Sequence, residues 1–381
     1  MRCRAIVIGF LPAFLLLTAA AQTRSPRRPA GTRAPSAAAE KPKYKGIFEP
    51  VNYDQDVKLM SVYCSGPQSC WAAGGASEIR GGVILHTADQ GKTWTVEAGD
   101  PQSADRAFVQ LRFLDGHTGF AVQHTGQASN LYRTDDGEHW LPVGKIAEHI
   151  ADYHFSSPTT GVAVGGESID YTQDAGKTWN PVAHCRANAQ VNGLARSVKC
   201  NFLSLSFPTG STGYAAAKSD ETDQNLFLAK TTDGGASWTM MTLDIVGEHP
   251  GPKDVYFVNA DTGFLRVGGA DTGKLYKTTN GGQTWTAIAT SPGERMSFSS
   301  DKAAAWAFHY SRMGFSADGG EHWSTRQERF PATPWDASLP RANFGMVVGE
   351  HGMAYRYRIV PAAYTAKGML DAPALSSTPT P

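Results

Sequence analysis

Six acidic or amide side chains recur at one spacing: Asp89, Asp135, Asp174, Asp233, Asn280 and Asp318. Each follows a Thr, Ser or Arg-Thr step and precedes a Gly, a Thr, Ser or His, and then a Trp: Trp94, Trp140, Trp179, Trp238, Trp285 and Trp323. A carboxylate at that spacing can act as an acid, hold a metal, or close a turn by accepting backbone N–H groups. Six near-identical copies cannot all be one active site, so the pattern reads as a repeated turn. The Gly supplies the positive φ and the Trp pins the turn to its neighbour. The copy at Trp140 is one residue short.

A second set of side chains is not repeated. Glu78, Arg80, Arg106, His124, Glu167, Glu294, Arg295, His309, Tyr310, Arg312, Glu350 and His351 fall between the regular segments. Their chemistry suits binding a ligand or a protein loop, and any one of them can equally be a solvated rim residue. Paired acids could serve glycoside hydrolysis, but the sequence does not show which acids face each other. There is no phosphate-cradling Gly loop, no Ser elbow and no zinc spacing, so no catalytic residue, metal or cofactor is expected.

These residues must be positioned by strands. Each turn is flanked by alternating segments such as Leu275-Tyr276-Lys277 and Thr286-Ala287-Ile288, and helical periodicity is nearly absent. Small-plus-apolar strands recur seven times, from Cys70-Trp71-Ala72 to Gly345-Met346-Val347, giving seven units and six turns. Seven four-stranded antiparallel units make an all-β, seven-bladed β-propeller. The last unit lacks its fourth strand. Gly46-Ile47-Phe48-Glu49-Pro50-Val51 has the character of one and is expected to cross over and close the ring. In this order of strands the repeated turns share one face with the first hairpin turn of each unit. The second hairpin loops and the inter-unit connections, which carry the twelve unrepeated residues, share the other, and loop-length variation there marks it as a binding face.

Residues 1–21 read as a cleaved export signal: Arg2 and Arg4, an apolar run to Leu17, and a small-residue site ending at Ala21. No other stretch is apolar and long enough to span a membrane. Residues 22–43 form a basic linker, 44–361 the propeller, and 362–381 a disordered tail. Residues 1–43 hold eight of the 35 basic residues and one of the 35 acidic ones, leaving the body 27 against 34, about −7. An acidic body argues against nucleic acid. Export implies a secreted or periplasmic setting and disulfides. Cys64 and Cys70 occupy positions where other units carry Phe113, Phe155, Phe207, Phe257 and Gly119, Gly161, Gly213, Gly263, which face each other across a hairpin. Cys185 and Cys200 would staple the longest inter-unit excursion.

The turns and the Phe-x4-Thr-Gly-Phe pattern, best seen from Phe257 to Trp285, resemble the BNR/Asp-box repeat proteins. Among them they are most similar to the photosystem II stability/assembly factors. The resemblance covers residues 46–360 and is shared with sialidases and xyloglucan hydrolases. It implies a secreted or lumenal seven-bladed scaffold that holds membrane-protein assembly intermediates without catalysis. A monomer that binds a protein partner in the envelope is expected. The alternative is a glycan-binding or glycan-hydrolysing propeller. The early Arg-Ile-Pro motif of sialidases is absent; Arg358-Ile359-Val360-Pro361 stands at the wrong end of the chain.

Overall fold

The computed structural model describes residues 43–372 except 78–79, 105, 125–128, 147–149, 192, 220–225, 244, 246–251, 269–272, 291–292, 294, 310–311 and 328. The expected signal and basic linker lie outside the described residues. Among those described there are thirty strands, and no helix long and apolar enough to cross a membrane. The strands form seven antiparallel sheets, each one blade of a β-propeller. In every blade the chain runs from an inner strand A outwards through B, C and D.

The A strands are Lys58–Cys64, Phe108–Phe113, Asp152–Phe155, Leu194–Ser206, Pro252–Phe257, Arg295–Phe298 and Pro334–Arg341 for blades 1 to 7. The ring closes as the sequence predicts. Tyr44–Pro50 pairs along Ala354–Pro361, Gly46 facing Ile359 and Phe48 facing Tyr357, and serves as strand D of blade 7. One boundary differs. The chain past Pro361 does not leave the propeller: Leu370–Ala372 adds a fifth strand outside Tyr44–Pro50. Tyr364 donates from its hydroxyl to Glu49 Oε1 at 2.6 Å. A three-residue strand in a polar, Pro- and Ala-containing tail carries too little periodicity to stand out.

Aromatic stacking packs the blades together. Phe155 of blade 3 lies flat on Phe120 of blade 2 at 3.6 Å, and Phe257 of blade 5 on Tyr214 of blade 4 at 3.5 Å. All four rings are buried, each contributing roughly 2–3 kcal/mol by burial. In blades 2 to 5 the Phe ending strand A covers the Gly opening strand B. A Cβ at Gly213 would come within 2.5 Å of the Phe207 ring. In blade 1 the same two positions are joined by the Cys64–Cys70 disulfide. Cys185–Cys200 closes a hairpin, Arg186–Val191 against the start of the blade 4 A strand. Both pairings agree with the sequence reading.

A central channel and the turns around its mouth

The repeated turns close through a fixed set of hydrogen bonds. In blade 1 the Thr87 hydroxyl donates to Asp89 Oδ1 at 2.9 Å and accepts from the Gly91 amide at 2.8 Å. Asp89 Oδ1 in turn accepts from the Thr93 amide at 2.9 Å. Gly91 sits at φ 84°, where a side chain would be strained. The Asp174, Asp233, Asn280 and Asp318 turns repeat this bonding. Hydrogen bonds from Thr178 and Ser237 hold Asp174 and Asp233 at about 2. Both oxygens of Asp89, Asp174, Asp233 and Asp318 are bonded within their own turns, which is a turn-closing role.

The short turn corrects one assignment. Asp136, not Asp135, accepts from the Thr134 hydroxyl and from the Glu138 and His139 amides, at 2.8–3.0 Å. Asp135 accepts from Arg133 Nε at 2.8 Å instead. The missing residue lies between the carboxylate and the Gly, so the Thr–x–Asp spacing survives. Its Trp also changes role. The tryptophans of blades 3 to 6 donate to their own turn's Gly carbonyl, as Trp179 does to Gly176 at 3.1 Å. The Gly137 carbonyl is taken by Trp71 of blade 1 at 2.7 Å, and Trp140 Nε1 is buried without a partner.

The A strands enclose a channel of about 680 Å³. Their residues alternate, one facing the neighbouring blade and the next facing the channel. Two levels of channel residues follow. The deeper holds Ser61, Gln110, Asp152, Ser204, Asp254, Arg295 and Asp336. The upper holds Tyr63, Arg112, His154, Ser206, Tyr256, Ser297 and Ser338. Many of these accept a backbone N–H from the following blade. Asp152 accepts from Leu205 at 2.9 Å, Asp254 from Met296 at 3.0 Å, and Asp336 from Val62 at 2.9 Å. Ser206 and Ser338 do the same one level up, from Phe257 and Cys64.

Electrostatics follow from this placement. Burial pushes the Asp254 carboxyl up to about 6, and the nearby Asp152 charge adds to the rise. Burial holds His154 down at about 4, its ring stacked on Phe207 at 4.6 Å. Arg112 pairs with Asp152 at 3.2 Å, yet its side chain is 46% exposed because it faces the open channel. Beyond the A strands the lining continues on the repeated-turn face, through Ser65, Pro208, Val258, Ser300, Lys302 and Arg341. The mouth therefore lies on that face, and it carries cationic and aromatic groups: Lys302 beside Tyr256, and exposed Arg341.

Of the twelve unrepeated residues, Arg295 lines the channel. Others stand at separate points outside it. His124 bonds Ser129 at 3.0 Å, Glu167 pairs with Lys199 at 2.9 Å, and His351 pairs with Asp56 at 2.8 Å. Arg80 bridges back to Ser77, the Arg106 carbonyl accepts from Gln123, and the Glu350 amide donates to Thr333. His309 and Arg312 face each other in the B–C hairpin of blade 6. Glu78, Glu294 and Tyr310 lie outside the described residues. No grouping of three or more metal-ligating side chains occurs among the described residues. The channel side chains were missed although a signal existed. Phe202-Leu203-Ser204-Leu205-Ser206-Phe207 places polar residues at period two inside an apolar strand, which marks a wetted inner face.

A family model for the photosynthesis system II assembly factor YCF48 matches residues 135–297. The photosystem II assembly lipoprotein Ycf48 of Synechococcus sp. (strain CC9902) is 29% identical over 168 residues, 44% of this chain and 45% of that protein. Two solved structures share the fold. One, described as YCF48 bound to D1 peptide, has a TM-score of 0.59 at 15% identity and covers 84% of this chain and 98% of its own. YCF48 from Cyanidioschyzon merolae has 0.60 at 17%, covering 82% and 98%. The chain is a BNR-type propeller like the photosystem II assembly factor. As a BNR-type propeller it aligns in sequence with about half the length of the curated relative it matches.

Proposed function

We propose that this BNR-type propeller is a scaffold whose channel mouth, on the repeated-turn face, holds a segment of a protein partner without catalysis. The observation that carries the reading is the channel itself. It encloses about 680 Å³ and is lined by polar groups whose carboxylates are already engaged by backbone amides, with Lys302, bonded to the Tyr256 hydroxyl, and exposed Arg341 at the entrance. The similar propeller described as bound to D1 peptide supports a peptide-like occupant. Export fits the same reading: residues 1–21 have the pattern of a signal peptide, both cysteine pairs are joined, and the Synechococcus relative is a lipoprotein.

Site-specific photo-cross-linking tests this. A photoreactive residue is placed at Ser300, at the mouth, or at Arg80, on the opposite face, and the full chain is exposed to envelope extract. Protein adducts from position 300 that disappear in Lys302→Glu/Arg341→Glu are expected. Adducts from position 80 alone would move the site to the opposite face. Adducts from neither, with retention on glycan arrays, would replace a protein partner by a glycan.

A further inference from the structure

We propose that Ser69, His86 and Glu97 of blade 1 form a nucleophilic site that takes the acyl group of small activated esters. The site is independent of the channel. Ser69 Oγ lies 2.8 Å from His86 Nε2, and His86 Nδ1 lies 3.6 Å from Glu97 Oε1. This is the order of groups in a serine, base and orienting-carboxylate relay. The His–Glu distance is an ion-pair distance, so Glu97 orients the imidazole and steadies the positive charge it gains on accepting the Ser69 proton; it is a positioning residue and not a catalytic one.

Three features fix the arrangement. Ser69 precedes Cys70, whose disulfide to Cys64 anchors the turn, and the Ser69 carbonyl accepts from Ser65 at 3.1 Å. The His86 ring lies flat on Trp71 at 4.5 Å and 13°. Glu97 sits at a β-bulge between Val96 and Ala98, which turns its side chain inward to 16% exposure. Burial lowers the His86 pKa against the opposing pull of Glu97 and Glu138, so the base stays neutral below the usual histidine range.

The other blades act as an internal control. Register places Arg133, Tyr171, Lys230 and Lys277 at the His86 position, and Val143, Val182 and Ile288 at the Glu97 position. In blades 2 and 4 the cation at that place simply covers the neighbouring ring, Arg133 over Phe120 and Lys230 over Tyr214. Blade 1 alone among these combines an imidazole with a carboxylate at the bulge and a hydroxyl on the far side. In the step, the Ser69 Oγ–H bond breaks and its proton passes to Nε2. Oγ then bonds to the acyl carbon, and the ester C–O bond breaks. The leaving alkoxide takes the proton from His86, and water later releases the acid by the same route.

The test reads covalent capture with a fluorophosphonate probe. Oγ bonds to phosphorus, the P–F bond breaks, fluoride leaves and His86 accepts the proton. The full chain is incubated with probe and the adduct mapped by mass spectrometry. A single adduct on Ser69 is expected, absent in Ser69→Ala. His86→Arg and Glu97→Val install residues that blades 2 and 3 already carry there, so the fold is retained. His86→Arg should slow capture by roughly a hundredfold, the usual scale of base catalysis. Glu97→Val should slow it less and move the acid limb of the pH profile to lower pH. No adduct, an adduct on another residue, or a Ser69 adduct formed as fast in His86→Arg overturns the proposal. An unmoved acid limb in Glu97→Val removes Glu97 from the site.

Discussion

Asp135 and Asp136 show how one hydroxyl decides a carboxylate's role. The Thr134 side chain reaches two residues on, so Asp136 closes the turn and Asp135 turns outward to Arg133. Asp136→Ala should lower the melting temperature, whereas Asp135→Ala should leave it unchanged; thermal melts of the two variants check this. Sequence spacing could place the gap on either side of the acid, and only the three-dimensional bond to Thr134 resolves it. Asp254 offers a pH test. Its folded pKa, about 6, lies above the ordinary value of 3.8, so the protonated form is favoured in the fold. The stability this gives is full below about pH 4 and is lost as pH rises through 6. Asp254→Asn keeps an acceptor for the Met296 amide. It should therefore melt higher than the parent at pH 7.5, with the gap closing at pH 4, as calorimetry at the two pH values would record.

Strand by strand, the repeat was legible because each blade reuses one hairpin joint. The Phe-over-Gly contact is steric: no Cβ fits beneath the ring at Gly119, Gly161, Gly213 or Gly263. Blade 1 replaces this contact with a covalent bond between the same two positions. The joint should therefore be exchangeable. Cys64→Phe with Cys70→Gly should fold and, without reductant, melt within a few degrees of the parent; reductant should then lower its melt only by what opening Cys185–Cys200 costs. Cys64→Ser alone should melt lower, since it forms neither the bond nor the ring contact. Strand order, the two disulfides and the crossing N-terminal strand follow from such pattern matching. The channel side chains do not follow from it, because they sit within the repeated strands, whereas unrepeated residues stand out most in the loops. The outermost Leu370–Ala372 strand is too short to carry any pattern at all.

At the scale of the whole ring, stability depends on the seam. Tyr44–Pro50 bridges the chain's two ends, and Glu49, 5% exposed, sits at the crossing. Burial alone would raise its pKa. Hydrogen bonds from Arg358, Tyr364 and Arg356 outweigh that and hold it at about 2, below the ordinary 4.5. The seam's electrostatic stabilisation is thus complete above about pH 4.5 and lost as pH falls through 2. Glu49→Gln should cost on the order of 2–3 kcal/mol at pH 7 and much less near pH 2. Denaturant titrations at both pH values would show the difference. Deleting residues 44–52 should lower the melting temperature further than deleting 362–381, because it removes a whole pairing rather than an outer strip.

The side chains that bond one blade to the next are also the inner surface of the channel. Any guest that draws on Asp152, Asp254 or Asp336 competes with an amide of the adjoining blade. Occupancy and mechanical integrity are therefore one variable. A guest that adds bonds without borrowing these oxygens tightens the hoop, and one that takes them slackens a single named joint. Amide exchange at Leu205, Met296 and Val62 would tell the two kinds of guest apart, even where their affinities are equal.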